Sequence, residues 1–348
     1  MPVTIKDVAE RANVSISTVS AVVNDSKYVS PRLRAQVERA IEELGYIPSR
    51  VGRALSSKRS SMIAHMIPAI ANPFFAALIQ AAESAAFHNG YNLLVCSSEG
   101  DPAKMRQHQE FLLGAGVDGV LISPSTRLPL EDQCAPFIER GIPVVVVAGS
   151  LAPPGVDAVL SDNERGIRQL TQYLIDLGHT RIAYLGRRDS KSSEMRREAI
   201  ATCMAEAGLE LRAEMCRAAA PYVEFQATYH LARSLIMSRP RPTAIMCYND
   251  SLAMGVLQAC YDLGLRVPQD LSVTGFDDSL GHLTSPPLTT LAVPAATMGR
   301  LAIDILMGRV NARGREKESS PPERHVYEPE LIVRASTGPA PAAAAGRS

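Results

Sequence analysis

The stretch VAERANVSISTVSAVVN, residues 8–24, decides how the N-terminal part of the chain folds. Its second half carries Ser15, Ser17, Thr18 and Ser20 beside three valines, all mediocre helix formers. Yet its apolar residues recur at helical spacing. With Ile16 at 0° and about 100° per residue, Val19, Val22 and Val23 form a face centred near ~290°, while Ser17 and Ala21 fall near ~100° and ~140°, almost opposite. The valines can pin this helix to a neighbour. The small residues let its other side approach a surface closely.

The flanking sequence supplies the neighbours. Thr4 is placed to cap a helix in which Ile5, Val8, Ala9 and Ala12 share one face, with Asp7 in its first turn. Asn13 breaks that helix and Ser15 caps the next. Ser30-Pro31 opens a third helix, which repeats Leu33, Val37, Ala40, Ile41 and Leu44 and stops at Gly45. Three short helices within residues 4–45 suit a helix-turn-helix, whose second helix must enter a groove about 12 Å wide. An ordinary helical hairpin with Ser and Thr on a solvated face has the same local pattern.

Residues 46–60, YIPSRVGRALSSKRS, read as a linker. Residues 1–60 hold ten Lys/Arg against six Asp/Glu, a net +4 in a chain of zero formal charge, so the remainder carries −4. That asymmetry suits a small nucleic-acid-binding head on a neutral body.

From Ser61 the pattern alternates. Short apolar runs at 62–67, 91–97, 119–123, 143–148, 157–161, 181–186, 244–248 and 271–276 read as strands buried on both faces, with helices such as 73–89 and 163–178 between them. The alternation predicts α/β architecture with doubly wound parallel sheets, split near Ser161 into two similar halves. Residues 312–325 read as a charged loop, and 339–348 as a disordered low-complexity tail.

Several functions find no support. The six cysteines form no C-x-x-C pair, which predicts reduced, buried thiols and neither metal nor disulfide framework. The seven histidines are dispersed, and no P-loop, G-x-S-x-G or metal-ligand cluster is present, so no enzyme and no cofactor is expected. No apolar run approaches the roughly 20 residues of a membrane helix. The charged N-terminus has no apolar signal region, so a cytoplasmic protein is expected.

The head segment VTIKDVAERANVSISTVSAVVN, followed by VSPRLRAQVERAIEELGYIPSRVGRAL, resembles lactose-repressor (LacI/GalR) family transcription regulators. Downstream, ANPFF, LGHTRIAYLG, YNDSLAMG, GLRVPQDLSVTGFDD and SPPLTTLAVPAATMGRLA resemble that family's ligand-binding core. The resemblance spans about residues 3–335. It implies a three-helix helix-turn-helix head at 1–46, a hinge helix at 47–60, and a two-lobed core at 61–338 similar to periplasmic binding proteins of type I. The first lobe is then about 61–161 plus 292–320, and the second 162–291 plus 321–338.

By resemblance, Ile16, Ser17 and Ala21 stand where the family reads bases. Thr4, Ser15, Thr18, Asn24, Tyr28 and Arg32 stand where it touches the DNA backbone, and Arg53, Ala54 and Leu55 match the hinge that enters the minor groove. Ala21 departs from the family's usual long polar residue, which predicts an altered operator preference rather than lost binding. Asn72, Phe74, Phe75, Arg196, Asn249 and Asp277 map to the effector pocket, Arg196 and Asp277 most sharply; Phe75 reads equally as core, and a turn cap is the lesser reading of Asp277. Asp250 is expected to cap a helix at 251–264. Ala148-Gly149 replaces an Asp-Arg pair that grips sugar hydroxyls, and Ala199-Ile200 replaces Gly-aromatic. Fewer polar anchors predict an effector other than a plain pentose: smaller, less polar or differently charged.

The resemblance implies a homodimeric, sequence-specific repressor on a palindromic double-stranded operator, controlled by a sugar-like effector bound between the lobes. A corepressor-dependent regulator is compatible with the same residues, and a solute-binding protein is the third reading. The tail has no leucine heptad, which favours a dimer over a tetramer.

Overall fold

The computed structural model describes residues 3–25, 27–47, 59–124, 128–220, 225–313 and 320–341. They form two compact units, one comprising the chain up to Ser61 with Ala115–Asp118, and the other the rest. Asp118 joins the first unit by accepting the Ser61 N–H at 2.8 Å.

In the head, α1 (Ile5–Arg11), α2 (Ile16–Asn24) and α3 (Pro31–Leu44) enclose a core around Val8, Val19 and Val37, all fully buried. Thr4 and Asp7 form a reciprocal capping box, and the Ser15 side chain accepts the Thr18 N–H at 3.1 Å. Asn13 makes the turn at φ +50°, and Gly45 ends α3 at φ +60°, a conformation that glycine adopts without Cβ strain. Helices of seven and nine residues are too short to stand alone. Each valine buried in this cluster contributes about 1.5–3 kcal/mol, and that packing forms them.

The larger unit contains two parallel sheets. The first orders its strands β11-β5-β4-β3-β1-β2: Arg324–Tyr327, Asp157–Ser161, Val144–Val147, Gly119–Ile122, Met62–Ile67 and Asn92–Ser97. The second orders β7-β6-β8-β9: Cys216–Ala219, Ile182–Arg187, Ala244–Cys247 and Ser272–Thr274. Helices α4 (Pro73–His88), α5 (Pro102–Ala115), α6 (Leu130–Ile138) and α11 (Ala295–Ala312) belong with the first sheet. Helices α7 (Asn163–Asp176), α8 (Lys191–Glu206), α9 (Phe225–Ile236) and α10 (Asp250–Asp262) belong with the second. A short antiparallel pair, β10 (Thr290–Ala292) with β12 (Glu330–Ile332), lies where the chain passes between lobes. The lobes are thus joined three times: between β5 and α7, between β10 and α11, and between β11 and β12. All eight strands expected from the sequence are present, though β2, at the edge of its sheet, is only partly buried.

The chain departs from expectation near its C-terminal end. Residues 324–327, expected in the charged loop and then the second lobe, form β11 on the edge of the first-lobe sheet, parallel to β5 with Arg324 opposite Ala158. Asp157 fixes this strand: its carboxylate accepts Arg309 Nη2 at 2.7 Å, Arg309 Nε at 2.9 Å and the Glu323 N–H at 2.8 Å. The segment RHVY is polar and mostly exposed, so no apolar run announces it. The second lobe regains the chain after β12. There Ser336 bonds Thr289 N and Val273 O, while His179 bridges Thr243 Oγ1 and the Gly338 carbonyl, both at 3.0 Å.

Close packing decides two glycines. A Cβ on Gly299 of α11 would collide with the Leu78 carbonyl of α4, so those helices meet backbone to backbone. A Cβ on Gly149 would stand 2.8 Å from Pro124 Cγ and 3.2 Å from the Leu151 carbonyl. No longer side chain fits at Gly149 without moving that loop, so an arginine at the second position of the missing pair has no room.

Candidate DNA-binding face and effector cleft

On α2, Ile16 is 44% exposed and Ser17 is exposed, so both are open for contact. Ser15 Oγ lies 2.7 Å from Ser17 Oγ and 2.8 Å from Thr18 Oγ1, a hydroxyl cluster at the helix N-terminus where backbone N–H groups favour an anion such as phosphate. Tyr28 is 89% exposed and Arg32 is exposed. Thr4 is exposed but its hydroxyl already bonds Asp7 at 2.8 Å, and Asn24 donates to Ser20 Oγ at 3.2 Å.

Ala21 corrects the expectation of an open methyl. It lies outside the cluster that the valines join, yet it is only 8% exposed. Arg53, Ala54 and Leu55 of the hinge lie outside the described residues.

Between the lobes of the larger unit lies a cleft of about 200 Å³. Its wall includes Asn72, Phe74, Phe75, Arg196 and Asp277, five of the six residues expected there. Asn72 caps α4, its Oδ1 accepting Phe74 N–H at 3.1 Å, and its side chain also bonds Asp277. Phe74 is 7% exposed and packs edge-on to Phe75 at 5.3 Å, so Phe74 is mainly core while Phe75 is half-buried at the rim.

Arg196 is 6% exposed and rigidly held. It donates to the Tyr248 carbonyl, and its guanidinium lies 3.4 Å from the Phe276 ring centroid and 4.5 Å from that of Tyr248. Stacking of this kind holds a planar cation without using its remaining N–H groups. Asp277 follows Phe276 at φ +95°, a conformation unusual for a non-glycine residue. It is half-buried, its open side being the cleft, but protein surrounds the carboxyl closely enough that burial pushes its pKa up to about 7. Arg196 pulls it down, the nearby Asp250 pushes it up, and Asn72 and Arg187 pull it down less.

Asn249 is the sixth expected residue, and it does not reach the wall. It is 2% exposed with φ −153°, and its Oδ1 turns back to accept the Leu252 N–H at 3.0 Å as the cap of α10. Asp250, expected in that role, is the first helical residue. Its carboxylate instead accepts Leu280 N–H at 3.0 Å and Thr290 Oγ1 at 2.7 Å. In a strand–helix junction the last extended residue caps, and here that is the first member of the Asn-Asp doublet.

The wall also holds residues that motif matching missed, among them Ser161, Asn163, Arg187, Lys191 and Tyr248. All lie just after, or at, the C-terminal end of a strand or the helix start that follows. Ligands in open α/β sheets gather at those ends, and applying that rule to every strand would have found them.

Residues 4–49 match the model of bacterial regulatory proteins of the lacI family, and residues 171–337 match a periplasmic binding protein-like domain. The chain is 38% identical to the ribose operon repressor of Escherichia coli (strain K12), over 88% of this chain and 93% of that protein. It belongs to the lacI family. This lacI-family member is a DNA-binding transcriptional regulator under small-molecule control. It is also 34% identical to the HTH-type transcriptional repressor PurR of Photobacterium profundum, over 96% of this chain and 98% of that one. Among solved structures, the lac repressor dimer bound to operator and the anti-inducer ONPF superposes with TM-score 0.82 at 28% identity, covering 97% of this chain and all of that one. The transcriptional regulator CelR–cellobiose complex gives TM-score 0.69 at 30% identity, covering 96% and 99%.

Among the described residues no helix is long and apolar enough to cross a membrane, and no group of three or more His, Cys, Asp or Glu side chains converges.

Proposed function

We propose that this regulator is a cytoplasmic repressor that binds a palindromic operator as a homodimer and is controlled by a sugar-like effector held between its lobes. Ile16 and Ser17 face the bases, and the small Ala21 lets the α2 backbone approach them. Ser15, Thr18, Asn24, Tyr28 and Arg32, with Thr4, follow the phosphates, and Arg53, Ala54 and Leu55 enter the minor groove. Asn72, Phe75, Arg196 and Asp277 hold the effector. The chain has no catalytic role in this reading, in line with relatives that are named as repressors.

The observation that carries the effector reading is the convergence of Asp277 and a buried, stacked Arg196 with Phe75 and Asn72 on the wall of one cleft. A carboxyl and a guanidinium offer an acceptor and donors to ring hydroxyls, and an aromatic edge can cover the apolar face of a sugar. Dimer, operator and sugar binding in structural neighbours support the reading. Control follows from linkage: an effector that prefers one lobe arrangement shifts the population toward it, and operator affinity follows if only one arrangement binds DNA well.

A gel-shift titration tests this. Operator affinity is expected to fall steeply with salt while keeping a sequence-specific remainder over competitor DNA. A flat salt response, or equal affinity for random DNA, refutes it.

A further inference from the structure

Among the buried polar atoms of the cleft wall without a hydrogen-bond partner are Ser161 Oγ, Asn163 Oδ1 and the Nε of the stacked Arg196. Ser161 is 3% exposed and its Oγ has no hydrogen-bond partner. Asn163 is 7% exposed; its Nδ2 donates to Ser150 Oγ at 2.7 Å, and its Oδ1 has no partner. Both residues line the cleft. Buried polar groups are nearly always satisfied, so two orphaned ones two positions apart in the chain, on residues that line one cleft, point to something that enters it.

Their position in the fold is specific. Ser161 ends β5 beside the end of β4, and its N–H bonds the Gly149 carbonyl at 2.9 Å. It therefore stands one strand over from Ala148-Gly149, the place where the expected Asp-Arg grip is absent and where Gly149 leaves no room for a longer side chain. Asn163 begins α7, on the first of the three connections between the lobes. The intervening Asp162 bonds the Tyr327 carbonyl at 2.9 Å, which ties this connection to the one after β11.

We propose that Ser161 and Asn163 are effector anchors that replace the missing pair, taking adjacent hydroxyl groups of a neutral polyol. The inference rests on the cleft being the effector site. Ser161 Oγ can both donate and accept, and Asn163 Oδ1 accepts, so two neighbouring hydroxyls satisfy both. Because the anchors sit where the chain passes from one lobe to the other, a ligand held there touches an element that links the two lobes. The polar anchoring that looked deficient from the sequence is moved from β4 to β5 and the connection beyond it.

The test uses the full chain and its variants Ser161→Ala and Asn163→Leu, titrated calorimetrically with D-ribose, D-xylose, D-glucose and cellobiose, with operator binding and unliganded melting temperature measured alongside. Removing a hydroxyl that bonds nothing leaves the unliganded Ser161→Ala protein as stable as wild type or slightly more so. At least one of the four sugars is expected to bind wild type and to lose about tenfold in affinity in each variant. Equal affinity in wild type and variants overturns the proposal, because the two atoms then bind only water, while the effector reading stands. No binding of any of the four to a wild type that still binds operator also overturns it, and with it the sugar-like effector.

Discussion

Asp277→Asn separates stability from ligand recognition in this protein. The carboxyl has a pKa of about 7 in the folded chain against an ordinary 3.8. Between those values the folded protein holds a proton that the unfolded chain has released. Stability from this group therefore falls as pH rises from about 4 to about 7, and is flat above. The cost is on the order of 2 kcal/mol at pH 5 and 4 kcal/mol at pH 8. An amide keeps the shape and can still accept the bond from Asn72, but it brings a buried donor that needs a partner, which takes back about 2 kcal/mol. Asp277→Asn is therefore expected to match wild type at pH 5 and to exceed it by about 2 kcal/mol at pH 8, or about 4 °C in melting temperature. Calorimetric melting of both proteins at the two pH values measures this. A gain that is the same at both pH values, or no gain at pH 8, refutes the assignment of a carboxyl held uncharged by burial. The same substitution is expected to abolish effector response, since stability gained at a binding site usually comes at the expense of recognition.

Other substitutions test other parts of the structure. Asn249→Ala removes the α10 cap and is expected to destabilise by about 1 kcal/mol in denaturant melts; its effect on effector affinity at saturating folded protein should be slight, whereas a loss of tenfold or more would return Asn249 to the pocket. Gly299→Ala drives a methyl into the Leu78 carbonyl and is expected to cost about 1–3 kcal/mol, read from urea unfolding; an unchanged midpoint would contradict the backbone contact of α4 with α11. Ala21→Arg places a long donor where the family reads bases, so selection from a randomised operator library should enrich a different half-site, with guanine favoured at one position. Unchanged enrichment would remove Ala21 from the recognition surface.

The sequence by itself determined the parts that depend on local chemistry and period. The capping hydroxyls, the Pro31 start and the Gly45 stop set the three head helices, and eight apolar runs set the buried strands, because these signals act within a few residues. It also placed Asn72, Arg196 and Asp277 in one cleft through motif resemblance. Only the tertiary structure decided the rest. RHVY became a strand because Asp157, Arg309 and Glu323 meet from distant parts of the chain, and no local pattern carries that. Asn249 left the pocket because a one-residue choice of cap turns its side chain inward. Ala21 is buried although the helical wheel set it apart from the valines, because the wheel describes one helix and not what packs around it. Ser161 and Asn163 entered the cleft wall for the opposite reason: as single polar residues they are unremarked in the chain, and they matter only because folding buries them beside a cavity with one oxygen of each, Ser161 Oγ and Asn163 Oδ1, unpaired.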